Sequence, residues 1–461
     1  MKKIFASVLV MLIVFSMMSF FASAEDVSKT GGCNSLDAQV PFFGTQKLVD
    51  NAVSAILYEA NTDTLMYADN IDEQLPPVSL VKILTAIIAI EKGNLSDAVT
   101  VRSDVLATLP EDAAVVELIP DEVLTLEDLI NCMMIASGND AAVVLADHVM
   151  GSQEAFVAEM NRYASDLGCT ATNFTNVHGL SDPNQYTTAL DMARIVAYAI
   201  QNETFLSIYG DIYYNVPETN KFPIRYLESE NYLMNDDKVM IYYDSRVIGS
   251  RTGIANDWSR SLATVARDEN LTLVCIVMGA KSEYAEDGYT TTVYGGYDET
   301  SLLFDMGFEG HKTAQIFHEN QILKQYSIAN GDCDLSIGTY DSAFSVIPST
   351  MDAMGLSYRY TDEIELKAPI EKGQKVSNVQ VWCGGVCIAQ AELYAMNSVS
   401  EVESFSGDFG QEVKGSLKWI LYVFLVLFGV IALFIVVLWV LRTVNMQKAK
   451  SAHRSYRRRS R

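Results

Sequence analysis

The chain has 461 residues with 49% hydrophobic and 20% charged side chains, a composition that excludes a disordered polymer and a length that implies two or three domains. Its net charge of −25 is unevenly placed: residues 1–24 hold two basic groups and residues 418–461 hold nine, with no acid in either stretch. The part between carries 22 basic against 58 acidic residues, a net of −36, which excludes a nucleic-acid binder working through a broad basic surface.

The N-terminus reads as a secretory signal over 1–24. Lys2 and Lys3 precede the nearly continuous apolar run Ile4 to Phe21, and Ala22-Ser23-Ala24 is a small-residue cleavage site, so the mature chain would begin at Glu25. The apolar run is longer than the usual signal core, so an uncleaved anchor is the alternative. A leader follows over 25–45. Residues 52–68 predict two short strands around Asn61-Thr62-Asp63. Pro76-Pro77 ends this extended stretch, and a helix is predicted over 79–92. Leu126 to Val149 holds a long helical pattern broken at Ser137-Gly138-Asn139, and 188–203 reads as an amphipathic helix. Residues 239–248 and 262–280 read as strands, with Gly249-Ser250-Arg251-Thr252-Gly253 between them. Helices inside a strand-first, strand-last pattern predict a mixed α/β domain with an antiparallel sheet over 46–310.

Helical periodicity disappears near residue 311. Short apolar segments such as AQIF, EIELKA and NVQVWC, separated by Gly, Asn and Pro, predict a small all-β domain over 311–395. Residues 396–417 are rich in Ser, Gly and acids and read as a flexible stalk. A single transmembrane helix is predicted over 418–441. Its uncharged core, Trp419 to Leu441, is 23 residues long, with Trp419, Tyr422 and Trp439 at its ends. At 1.5 Å per residue such a helix reaches about 35 Å, enough to cross a hydrocarbon core. The tail 442–461 is basic and therefore predicted to be cytoplasmic, which leaves the body of the protein outside the membrane.

The chain has seven cysteines, an odd number. In an exported protein that leaves a free thiol or an intermolecular bridge. Cys132 and Cys275 lie in apolar runs and read as core residues, and Cys383-Gly-Gly-Val-Cys387 has the spacing for a local disulfide. It makes a poor zinc site because no second ligand pair lies nearby, and the sequence offers neither H-E-x-x-H nor G-x-S-x-G. No metal and no cofactor is expected.

The chemistry is carried by three short motifs. Ser79 and Lys82 lie three residues apart, so both fall on one helical face. A serine hydroxyl needs an adjacent base to become a nucleophile, and a lysine serves as that base when burial or a neighbouring positive charge keeps it neutral. S-x-x-K alone is a weak signal. The break at Ser137-Gly138-Asn139 adds a hydroxyl and an amide, and Arg251-Thr252-Gly253 adds a cation, a hydroxyl and a close-approach glycine.

The ordered set S-x-x-K, S-G-N and [KR]-T-G resembles that of the penicillin-binding proteins and serine β-lactamases. The neighbouring text is closer to the serine-type D-alanyl-D-alanine carboxypeptidases of low molecular mass. SLVKILTA resembles their first motif and SGNDAA their second. Phe174 to Leu180 resembles their F-x-N-x-H-G-L segment, Asn231-Tyr-Leu an element before the third motif, and Pro369 to Val376 a segment of their C-terminal β-domain. The likeness covers roughly residues 45–395.

The resemblance implies the following roles. Ser79 is the acylated nucleophile, Lys82 its base, and Ser137 relays a proton to the leaving D-alanine. Asn139 binds the substrate amide, Arg251 and Thr252 hold the terminal carboxylate, and Gly253 lets the backbone approach. The N–H groups of Ser79 and Ile254 form the oxyanion hole. Two departures stand out: Arg251 where lysine is usual, and Val81 where threonine is common. Arginine keeps the charge but cannot shuttle a proton. His178 reads as a structural loop residue, His148 as a helix residue at core spacing, and Asp140 as an organiser of the loop after Asn139 rather than a base. The implied function is a membrane-anchored carboxypeptidase that removes the terminal D-alanine from peptidoglycan stem pentapeptides. Its partners would be that peptide, the membrane, and β-lactams as covalent inhibitors, with no nucleic acid. A β-lactamase and a silent wall-binding scaffold are the rival readings. The acidic body would repel an anionic wall, so attraction falls to the local pocket around Lys82 and Arg251.

Overall fold

The computed structural model describes residues 36, 42, 47–255, 259–284, 291–351, 355–360, 366–402 and 409–457. The segment 1–24 read as a signal and most of the stretch 25–45 read as a leader lie outside the described residues. β1 (Ser54–Glu59) and β2 (Thr64–Asp69) form the hairpin expected from the sequence. They join β3 (Val247–Ile254), β4 (Arg260–Arg267) and β5 (Thr272–Ala280) in an antiparallel sheet ordered β2-β1-β5-β4-β3.

Both faces of this sheet are covered. Ile56, Tyr58, Val274, Ile276 and Met278 pack into one core with most of the helices. Their alternates Leu57, Leu273, Cys275 and Val277 pack into a second core with Leu303, Phe304 and Phe308. Strands buried on both sides read as continuous apolar runs, which is why 272–280 shows no clean alternation. Cys132 and Cys275 are fully buried, as expected of core residues.

At the centre of the first core runs α1 (Val81–Lys92), buried from Val81 to Ala89. A helix apolar all round must be enclosed by others. Its neighbours are α2 (Leu126–Ile135), α3 (Asn139–Met150), α4 (Gln153–Asp166), α5 (Ala189–Ala199) and α6 (Glu203–Gly210). Thr125 and Asp128 close a capping box at the start of α2. The helix expected over 188–203 is two: Thr188 caps α5, and Asn202 caps a new helix at Glu203. The strand expected over 239–248 is also corrected. Met240–Tyr242 forms a 3₁₀ turn and β3 begins only at Val247. Asp244 accepts from the Arg246 N–H and its own carbonyl from Val247, so the chain bends there before it can pair. α4 and α7 (Tyr297–Phe308) were not foreseen.

The β-rich part begins at β6 (His311–Phe317). β7 (Gln321–Tyr326), β8 (Leu335–Thr339), β9 (Ala343–Pro348), β10 (Ser357–Tyr360), β11 (Lys375–Cys383) and β12 (Val386–Ala395) follow. One sheet runs β7-β8-β12-β11-β10, and β6 pairs with β9. AQIF lies in β6 and NVQVWC in β11, whereas most of EIELKA lies outside the described residues. Cys383 and Cys387 do not form the local bridge. Cys383 is a free thiol lying 3.0 Å from the Met351 sulfur, and Cys387 is disulfide-bonded.

A second compact unit comprises Ser327–Asp334, Lys367–Ile370 and Val399–Arg461. Here Val399 bridges Ile370 and Glu401 bridges Gly331, so the stretch read as a stalk begins in paired backbone. From Phe409 to Arg457 it is α8. Within α8, Leu417–Gln447 is long and apolar enough to cross a membrane.

Candidate active site

Pro76-Pro77 leads into a 3₁₀ turn, Val78–Leu80, closed by the Leu80 N–H on the Pro77 carbonyl at 3.0 Å. This turn seats Ser79 just before α1 and puts Lys82 one turn on, inside the core and 1% exposed. α2 ends at Ile135, α3 begins at Asn139, and the break between them holds Ser137 at φ +62°. Left-handed backbone is uncommon for serine, and strain of this kind clusters at functional sites.

The break and the helix start converge. Lys82 Nζ lies 3.3 Å from Ser79 Oγ and 3.5 Å from Ser137 Oγ, and the two hydroxyls are 3.5 Å apart. Lys82 Nζ donates to Asn139 Oδ1 at 2.7 Å and to the His178 carbonyl at 2.6 Å. Both are acceptor-only oxygens. A neutral amine has two N–H groups and one lone pair. With both N–H groups engaged, the lone pair is left for the serine hydroxyls.

Electrostatics favour that neutral form. Burial pushes the Lys82 amine well below the usual lysine range, the Arg251 charge pushes the same way, and Asp140 works in opposition. Burial chiefly holds the His178 imidazole down at about 4, and a proton on Lys82 would push the same way, so at neutral pH the ring is uncharged. Its Nδ1 accepts the Leu180 N–H at 3.1 Å, leaving the ring proton on Nε2.

The His178 carbonyl reaches Lys82 because its loop is pinned from three sides. Thr85 Oγ1 on α1 donates to the Val177 carbonyl at 2.8 Å. Asn161 on α4 brackets the Phe174 backbone, and Gln185 Oε1 accepts the Thr175 and Asn176 N–H groups. Asp140 accepts the Val116 and Leu118 N–H groups, so the loop it organises is the one before α2. His148 pairs with Asp97 at 3.2 Å on the surface, away from this cluster and from the core position its spacing suggested.

β3 closes the site. Arg251 is 5% exposed and gives Nη1 to the Met134 carbonyl at 2.5 Å, Nη2 to Ser137 Oγ at 2.6 Å and Nε to the Ser79 carbonyl at 3.4 Å. Burial brings its guanidinium down to about 10. Arginine only donates, so the Ser137 proton is free to point to Ser79 or Lys82. Thr252 Oγ1 accepts from Asn231 Nδ2 at 3.0 Å and lies 3.3 Å from the Tyr297 hydroxyl. Asn231 also donates to Ser250 Oγ at 2.8 Å. Ile254 ends β3 with its side chain 50% exposed.

Gly253 lies against the nucleophile's turn: a Cβ there would sit 2.3 Å from Val78 Cγ2 and 2.8 Å from the Ser79 N. Gly253→Ala is therefore expected to slow acylation of Ser79 about 10- to 100-fold by shifting the reacting atoms. Stopped-flow acylation by a fluorescent penicillin measures it, and a wild-type rate would remove the close-approach explanation.

Residues 43–282 match the family model described as D-alanyl-D-alanine carboxypeptidase, more than half of the chain. The chain belongs to that family. Residues 311–401 match the C-terminal domain of penicillin-binding protein 5. The D-alanyl-D-alanine carboxypeptidase DacC of Escherichia coli is 29% identical over 369 residues, 77% of this chain and 85% of that one. DacF of Bacillus subtilis is 27% identical over 368 residues, 77% and 88% of the two chains. The solved penicillin-binding protein 5 from Haemophilus influenzae superposes with a TM-score of 0.63 at 29% identity, covering 78% of this chain and 100% of that one.

Within this carboxypeptidase family member, the structure brings Ser79, Lys82, Ser137, Asn139 and Arg251 into one cluster, with Thr252 and Gly253 along the same strand. Two features lay beyond sequence reasoning. One is the His178 backbone carbonyl, which no side-chain pattern announces. The other is the packed group Tyr232, Tyr242, Tyr294 and Tyr297 beside Thr252. Its one signal was the density of tyrosines in 232–243 and 294–297. Among the described residues no cluster of His, Cys, Asp and Glu could hold a metal ion.

Proposed function

We propose that Ser79 is the nucleophile of this serine-type D-alanyl-D-alanine carboxypeptidase and that its substrate is a peptidoglycan stem peptide ending in D-Ala-D-Ala. The observation that carries the assignment is the buried Lys82 amine, donating to Asn139 Oδ1 and the His178 carbonyl and lying 3.3 Å from Ser79 Oγ. Lys82 takes the Ser79 proton as Oγ attacks the carbonyl carbon of the penultimate residue. The N–H groups of Ser79 and Ile254 receive the oxyanion, each donor contributing roughly 3–4 kcal/mol. The C–N bond then breaks, and the proton on Lys82 passes through Ser137 to the departing D-alanine amine. Asn139 orients the substrate amide and Thr252 donates its hydroxyl proton to the terminal carboxylate. In the second half Lys82 draws a proton from water as it attacks the ester, and returns that proton to Ser79 Oγ as the acyl C–O bond breaks and the shortened peptide leaves. A β-lactam acylates the same oxygen.

The catalytic domain is taken as 46–310 and the β-domain as 311–395. The apolar helix followed by basic residues supports a topology with the catalytic body outside the membrane and the tail 442–461 in the cytoplasm.

The test is intact mass and peptide mapping of the full chain after penicillin, beside D-alanine release from a D-Ala-D-Ala peptide. One stable adduct on the Ser79 peptide, with D-alanine released, is expected. Drug consumed without an adduct would mean a β-lactamase, and drug intact without an adduct a silent scaffold.

Arg251 sets the pH range. Acylation requires neutral Lys82, so its rate rises with pH as the amine loses its proton. The Arg251 charge lowers the Lys82 proton affinity. Arg251→Gln is expected to move the rising limb of acylation rate against pH to higher pH. An unmoved limb would show that burial alone keeps Lys82 neutral.

A further inference from the structure

We propose that Arg260 is the cation that binds the substrate's terminal carboxylate, in place of Arg251. This rests on the carboxypeptidase reading above. A peptide ending in D-alanine presents a carboxylate, and Thr252 supplies one neutral donor for it. Arg251 is badly placed to add the charge. Its three nitrogens are directed at Met134, Ser137 and Ser79, and its side chain is buried. Turning it to the carboxylate would strand those acceptors and release Ser137.

Arg260 has what Arg251 lacks. On β4 it stands opposite Ile254, and Leu262 stands opposite Thr252. Paired residues share a sheet face, and alternate residues along a strand return to it, so Arg260 projects from the same face as Thr252 as its diagonal neighbour, about 7–8 Å away. Its guanidinium lies over the Tyr294 ring at 5.1 Å and gives Nη1 to Ser282 Oγ. That fixes the group while leaving Nε and Nη2 uncommitted. Among the described residues no carboxylate pairs with it, although the body of the chain is strongly acidic. Tyr297, whose hydroxyl touches Thr252, also lies within the field of Arg260: burial raises the Tyr297 hydroxyl, and the Arg260 charge acts against it. Thr252 and Arg260 thus bracket one anion position. The arginine held by an aromatic ring and a hydroxyl rather than by an acid keeps its charge for the ligand.

The test compares a diacylated lysyl-D-alanyl-D-alanine with its C-terminal carboxamide, using the full chain in detergent. For Arg260→Gln the loss of kcat/KM on the acid is expected to exceed the loss on the carboxamide by about 10- to 100-fold, mostly through KM. Arg260→Lys should recover part of it. Arg251→Gln should slow both substrates alike, because it acts through Ser137 and Lys82. Where the carboxamide is not turned over, its inhibition constant against the acid serves as the second readout. If Arg260→Gln does not fold, the same acid-against-carboxamide comparison is made on Arg260→Lys. Equal losses on acid and carboxamide, or none, would overturn the Arg260 assignment. A wild-type chain inactive on both would instead sink the carboxypeptidase reading.

Discussion

Replacing Lys82 by methionine is expected to slow acylation of Ser79 about a thousandfold or more, within the range for losing a positioned general base. Methionine is unbranched and fits the apolar sleeve around the lysine stem, so α1 and the position of Ser79 are preserved. What is lost is the lone pair 3.3 Å from Ser79 Oγ, and no other base takes its place. His178 offers the lysine only its backbone carbonyl, and Asn139 only an amide oxygen. The variant also has a thermodynamic signature. The folded wild type holds Lys82 below its ordinary proton affinity, so the unfolded chain binds more protons. Wild-type stability therefore gains with rising pH until the unfolded lysine titrates, near about 10.4. Lys82→Met lacks this contribution, so the wild type should gain stability over the variant as pH rises from neutral. Acylation within tenfold of wild type would end the claim that Lys82 is the base, and a stability difference independent of pH would mean that it is charged in the fold.

The chain of residues behind that prediction was partly legible in the sequence. Ser79 and Lys82 were readable because helical spacing converts directly into contact, and Ser137 because a polar break in an apolar helix is conspicuous. The sheet order could not be read. β1 pairs with β5 across more than 200 residues, and strands covered on both faces lose the alternation that would mark them. Arg251 was readable as a cation at the site but not in its contacts, which depend on where α2 ends and which carbonyl that end leaves open. The second oxygen that accepts a Lys82 N–H was hidden more deeply. It is a backbone oxygen 96 residues away, and a peptide carbonyl carries no sequence signature of its own. What the sequence did carry was the glycine beside it.

Gly179→Ala is expected to lower acylation about 100- to 1000-fold and to cost roughly 2–5 kcal/mol of stability. Two penalties coincide at this residue. Its φ is +91°, where an L side chain is strained. A Cβ there would also sit 2.0 Å from the Val78 carbonyl oxygen, 2.5 Å from its carbon and 2.9 Å from the Ser79 N. Neither wall can retreat easily. The Gly179 loop is tied through its own N–H to Asn176 Oδ1 at 2.7 Å and through Val177 to Thr85. Val78, β-branched and at φ +45°, is in strained backbone already. The added methyl group must therefore push the Val78-Ser79 peptide. That moves the nucleophile, its proposed oxyanion donor and the carbonyl that Arg251 contacts in one step. Gly151→Ala is the control. Gly151 has φ +79° but open space around its Cβ position. It should lose only the backbone penalty, about 1–2 kcal/mol, with acylation unchanged. Thermal melts and acylation rates on both variants separate the two effects. If Gly179→Ala acylates like Gly151→Ala, the nucleophile's turn is not held by that contact, and the glycine of the H-G-L segment serves backbone conformation alone.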